Sequence, residues 1–186
     1  MYKKNTVTWG AILFTFGVLF LVSNFIPQSW PLILVGLGIS FLLAALLNKT
    51  GGLAIAGLIN LTLGLILMSQ VLTQNWSSWV YLWPFVTAAL GGGLVISQLL
   101  GTGGRKTRRV GWSWFISGIL FAAGTYYLAI FQPESFSWAW IILGLGLQFL
   151  IVSIFSAVPG LSIPGTILSA IGAILFLQHH TGDWAS

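Results

Sequence analysis

Ser29-Trp30-Pro31-Leu32-Ile33-Leu34-Val35-Gly36-Leu37-Gly38 returns 108 residues later as Ser137-Trp138-Ala139-Trp140-Ile141-Ile142-Leu143-Gly144-Leu145-Gly146. The same offset carries Gly57, Gly64, Gln70, Thr73, Trp76 and Ser78 onto Gly165, Gly172, Gln178, Thr181, Trp184 and Ser186. Aligned without a gap, residues 29–78 and 137–186 agree at 20 of 50 positions. Apolar composition raises the chance level of Leu and Ile matches, but Trp, Gln, Thr and Gly recurring at one offset point to duplication. The chain divides accordingly into a first membrane repeat, residues 1–108, and a second, residues 109–186. After Ser78 the first repeat continues as Trp79-Val80-Tyr81-Leu82-Trp83-Pro84 and opens a fourth apolar run. The second repeat reaches only the counterpart of Ser78, at Ser186, so it is expected to lack its fourth helix.

Composition says where these repeats live. A chain of 186 residues that is 57% apolar and 5% charged has too little polar surface to cover a soluble globule. Apolar runs at 9–26, 31–47, 51–72, 79–100, 111–131, 138–157 and 160–178 all have lengths within the range of about 17–25 residues that crosses a bilayer's hydrocarbon core. The expected fold is all-α: a polytopic membrane protein of seven transmembrane helices built from repeated α-hairpins. The first run is longer than a secretory signal core and lacks a small-residue cleavage site. Cysteine is absent, which removes disulfides, thiolate chemistry and Cys-based metal sites.

The charges orient the array. Lys3, Lys4, Lys49, Arg105, Lys106, Arg108 and Arg109 all fall on one side of an alternating seven-span chain, and Glu134 and Asp183 fall on the other. Lys and Arg in short loops stay on the cytoplasmic side, so the N-terminus is expected inside. The net charge of +5 is thereby explained without a nucleic-acid partner. Arg105-Lys106-Thr107-Arg108-Arg109 reads as a cytoplasmic anchor touching anionic lipid headgroups. Gly101-Thr102-Gly103-Gly104 before it is not a phosphate-binding loop, because that pattern needs Lys directly after its last Gly and a strand in front.

Glycines set the packing. Gly10 and Gly17, Gly57 and Gly64, Gly111 and Gly118, and Gly165 and Gly172 are pairs seven residues apart in the odd-numbered runs. Two turns separate the members of a pair, so both lie on one helix face and admit a neighbouring backbone. Even-numbered runs open with Trp and carry small residues six and eight positions on: Gly36 and Gly38, Ala89 and Gly91, Gly144 and Gly146. Pro31 and Pro84 are placed in first turns, where a missing amide costs little, while Pro164 is placed to kink the last run.

Gly17-Val18-Leu19-Phe20-Leu21 through Trp30-Pro31-Leu32-Ile33-Leu34-Val35-Gly36, and Trp83-Pro84 with its run, resemble the LiaI/LiaF-like transmembrane region of bacterial membrane proteins. The third hairpin departs from that pattern at Ala139, where the proline is replaced. The resemblance implies a location in the bacterial cytoplasmic (inner) membrane. It also implies a role among accessory regulators of the cell envelope, and it brings no catalytic residues with it.

Chemistry is sparse. No Asp, Glu, Lys, Arg or His lies deep in any run, and intramembrane ionisable groups are the mark of proton or ion coupling. A retinal protein would need a lysine in its last helix, and none follows Lys106. The interior polar candidates are Asn60 and Gln148, read first as interhelical hydrogen-bonding groups and second as the lining of a solute path. His179, His180 and Asp183 are the nearest approach to a metal-ligand group, and two imidazoles with one carboxylate make a weak, open set. No catalytic, cofactor or metal residue is assigned. The expected protein is non-enzymatic, with the bilayer, a membrane-protein partner or a second copy as its partners. The alternative is a passive channel or small-solute carrier made from parallel halves. A polar stripe shared by Asn60, Thr62, Thr87 and Gln148 around one cavity would favour that alternative.

Overall fold

The computed structural model describes the backbone of residues 2–26, 28–133 and 136–181, and the side chains of residues 6, 9–26, 28–133 and 136–178. Within them the chain is all-α. Its eight helices are α1 (Tyr2–Phe25), α2 (Pro31–Asn48), α3 (Gly51–Thr73), α4 (Trp79–Leu82), α5 (Pro84–Leu99), α6 (Arg105–Phe131), α7 (Trp138–Ser156) and α8 (Ser162–Thr181).

Five of the helical segments are long and apolar enough to cross a membrane: α2, α3, α6, α7, and Pro159–Gln178, which contains most of α8. A sixth crossing is counted if α4 and α5 form one span bent by 47°. The bend corrects the single run expected over 79–100. Pro84 has no amide to donate, and its ring would collide with the carbonyl one turn back, so the helix restarts with Pro84 in its first turn. Two aromatic contacts brace the short arm against α6, Tyr81 on Tyr126 with ring centres 5.8 Å apart and Trp83 on Phe121 at 6.0 Å. Trp9–Phe25 of α1 is a shorter apolar helix.

Two other boundaries differ from the hydropathy reading. The helix α6 begins at Arg105, six residues before the apolar run, because a helix needs backbone bonds rather than apolar side chains. Its 27 residues extend about 40 Å, about 10 Å more than a hydrocarbon core is thick. Pro164 lies in the first turn of α8, so it removes no bond that the helix would otherwise make and gives no reason for a kink.

Neighbouring helices run antiparallel, and among the described residues each packs only on the helices next to it in chain order, with α4 and α5 acting as one broken member. The architecture is a single row. It is not the closed bundle that seven spans bring to mind, and most of its large apolar side chains stay exposed on the two broad faces. The closest pairs are α2 with α3, α5 with α6, and α7 with α8. Each is joined by a short turn on the edge of the row that carries Lys49 and the Arg105–Arg109 cluster.

Those three turns share one geometry. A residue in the left-handed region sits at Lys49 (φ 52°), Gly101 (φ 75°) and Ala157 (φ 52°). The next amide reaches back five residues: Thr50 N to Ala45 O at 3.1 Å, Thr102 N to Ser97 O at 3.2 Å, and Val158 N to Ser153 O at 3.2 Å. This caps the carbonyls left over at the end of each preceding helix. Only Gly101 takes the conformation without a Cβ penalty.

Candidate functional site

The paired glycines of α3, α6 and α8 press on the helix before them. A methyl group placed on Gly64 would lie 2.6 Å from Val35 N, on Gly118 2.7 Å from Ala88 Cα, and on Gly172 2.5 Å from Leu143 N. One hairpin end closer to the turns, a methyl on Gly57 would lie 2.9 Å from Leu42 N. On Gly111 it would lie 3.3 Å from Val95 N, and on Gly165 3.0 Å from Leu150 N. The reciprocal contacts come from α2, α5 and α7, where Gly38 sits on Leu61, Gly91 on Phe115 and Gly146 on Ser169. Gly36 and Gly144 lie two residues before Gly38 and Gly146, about 200° around the helix at 100° per residue, and therefore face the other neighbour. They meet Leu19 of α1 and Phe121 of α6. In lipid, where apolar burial does not draw helices together, close backbone approach of this kind is a main source of association.

Gly10 and Gly17 are the exception. Nothing approaches within 4 Å of a methyl placed on either. Their spacing matches the other pairs, but α1 has no earlier helix to receive that face among the described residues. Spacing reports which residues share a face. It does not report whether a neighbour is there.

Asn60 and Gln148 are not brought together. Asn60 is in α3 and Gln148 in α7, with the α4–α5 span and α6 between them in the row. Asn60 Nδ2 donates to Ala56 O at 2.8 Å within its own helix, so it does not form the expected interhelical bond. A carbonyl one turn back lies within reach of such a side chain and competes with partners on other helices. Thr87 Oγ1 likewise donates to Pro84 O, and Thr125 Oγ1 to Phe121 O and Ala122 O. Gln148 is 1% exposed and neither end of its amide finds a partner among the described residues. Gln70 in α3 is in the same condition at 0% exposed; the sequence marks it as a repeated position but not as an interior polar candidate. The stripe required for a solute path, Asn60, Thr62, Thr87 and Gln148 around one cavity, is not formed.

At the other extreme of polarity, the basic cluster is helical and divides between two surface grooves. Arg105, Lys106 and Arg109 line one of 380 Å³ together with Ser156 and Ala157 from the end of α7. Arg105 and Arg108 line another of 390 Å³ with Gln98 and Trp112. Ser156 is the residue that charge reading could not find: it is 2% exposed and its Oγ has no hydrogen-bond partner among the described residues. Among those residues no group of three His, Cys, Asp or Glu could hold a metal. The side chains of His179, His180 and Asp183, and Glu134 with them, lie outside the described residues.

Helices of this length and composition, strung in an alternating row, define a polytopic helical membrane protein. Set against known proteins, the chain matches no family model, no curated protein and no solved structure.

Proposed function

We propose that the chain is a non-enzymatic membrane module of seven spans, N-terminus on the cytoplasmic side, made of two parallel repeats covering residues 1–108 and 109–186. Its role is that of an interaction or regulatory element of the bacterial inner membrane and cell envelope, the role that the LiaI/LiaF-like resemblance implies. The observation that carries this reading is the single row itself. A row encloses no chamber for a substrate or a solute, whereas it offers two broad apolar faces, with Ile119, Leu120, Ile154 and Phe155 among the exposed side chains. Orientation rests on the cations: α1 starts, and the turns at Lys49 and before Arg105 lie, on one edge of the row, which positive-inside retention would keep cytoplasmic. The separation of Asn60 from Gln148 weighs against the carrier alternative.

The test is photo-crosslinking in native membranes from a reactive residue at Leu120 or Phe155, followed by identification of the linked protein. The expected result is one recurrent membrane-protein partner or a second copy of this chain. Linkage to lipid alone, from protein shown to be folded, would contradict the interaction role.

A further inference from the structure

The groove between the start of α6 and the end of α7 brings three cations together with a buried hydroxyl. Gly104 supplies no side chain to cap α6, and the first α-helical bond of that helix is Arg108 N to Gly104 O at 3.1 Å. The amides before it form the positive end of a helix 27 residues long, and the next side chains are cationic where carboxylates would ordinarily favour the dipole. Left to itself this arrangement repels. Arg105, Lys106 and Arg109 crowd one groove, and the chain's two carboxylate side chains, Glu134 and Asp183, are both outside the described residues. An anion at that spot would satisfy the amides and the cations together.

The independent observation comes from the opposite wall. Ser156 lies in that wall, 98% buried, with its hydroxyl unpartnered. A buried hydroxyl without a partner costs about 1–3 kcal/mol, so its place beside three cations calls for an acceptor there. A group with several acceptor oxygens meets all of these donors at once; a phosphate does so, and guanidinium forks match its geometry. The volume of 380 Å³ lies in the range of small-molecule sites, about 300–1,000 Å³. Ile154 and Phe155, just inward of Ser156 along α7, are exposed and apolar and give acyl chains a surface to follow.

We propose that this groove binds the phosphate of an anionic membrane lipid, with Arg105, Lys106 and Arg109 as the charged contacts and Ser156 as a hydrogen-bond donor. The site rests on the membrane reading above and adds a defined ligand and stoichiometry to it. The full chain in non-ionic detergent is titrated with phosphatidylglycerol and, separately, with diacylglycerol and with inorganic phosphate, and bound species are counted by native mass spectrometry. The expected result is one phosphatidylglycerol per chain, no comparable retention of diacylglycerol, and inorganic phosphate binding only at much higher concentration. Arg109→Gln and Ser156→Ala should each weaken the lipid about tenfold, while Lys49→Gln, a cation at the same end outside the groove, leaves it unchanged. Thermal unfolding of each variant verifies that it is folded. Equal loss in Lys49→Gln and Arg109→Gln would overturn the site in favour of diffuse charge, and inorganic phosphate binding as tightly as the lipid would overturn the lipid as its source. Alkaline extraction of membranes separates the two readings: a chain released into the soluble fraction contradicts the membrane assignment, whereas a retained chain that binds no lipid contradicts the groove alone.

Discussion

Gly64 and Gly17 stand at matching positions of two helices, each seven residues after another glycine, and their surroundings are opposite. Gly64 is pressed onto the backbone of Val35, while Gly17 faces open space. Gln70 and Gln178, related by the 108-residue offset, show the same contrast: the first is 0% exposed and the second lies on the surface of α8. The helices inside the row and those at its ends carry the same signals, and only a neighbour converts a signal into a contact. That is the behaviour of a one-dimensional array, in which each element is stabilised by nearest-neighbour interfaces and the terminal elements lack one.

The contrast can be broken most forcefully at the glycines. Gly64→Leu forces a branched side chain into the α2 backbone and should lose about 3 kcal/mol or more, whereas Gly17→Leu should stay within about 0.5 kcal/mol of the parent. Denaturation by SDS in mixed micelles measures both. A Gly17 variant as damaged as the Gly64 one would mean that α1 has a partner on that face.

A smaller effect is expected at the glutamines. Gln70→Met removes two unpartnered buried amide atoms and should raise stability by about 1 kcal/mol, while Gln178→Met should change little. The same unfolding assay reads the difference, and a loss on Gln70→Met would show that its amide is satisfied. The smallest change is at the turns. Ala157→Gly relieves a left-handed residue and should gain about 0.5–1 kcal/mol; Gly101→Ala, at the equivalent turn, should lose a similar amount. Equal shifts of one sign would show that the turns differ.

Much of the fold was legible because hydrocarbon thickness imposes helix length. The read boundaries 31–47, 51–72 and 138–157 lie within a residue of Pro31–Asn48, Gly51–Thr73 and Trp138–Ser156. The break at Pro84 was not, since the run 79–100 is apolar on both sides of it and hydropathy does not register a missing amide. Charge hid the first turn of α6, because reading spans by apolarity stops where Arg109 begins. Pairing was the least legible feature. Glycine spacing places Gly57 and Gly64 on one face but cannot say that the face looks back to α2 rather than on to the next span. The tightest hairpins are the ones closed at the basic end, and the pairs closed at the other end, α1 with α2, α3 with α5 and α6 with α7, are looser. The groove site was half visible: Arg105, Lys106 and Arg109 declare themselves by charge, while Ser156 is one small residue at the end of an apolar helix and acquires meaning only when α7 is set beside α6.

The single row is tested most directly by thiol cross-linking in membranes, since the chain has no cysteine of its own to interfere. One double variant places cysteines at Ile12 and Ala44, which line the same groove between α1 and α2. Another places them at Phe16 of α1 and Ile171 of α8. With a short bifunctional reagent, the row predicts an intrachain link in the first and none in the second. An intrachain link between positions 16 and 171 as efficient as that between 12 and 44 would mean that the ends meet, and the protein would be a closed bundle.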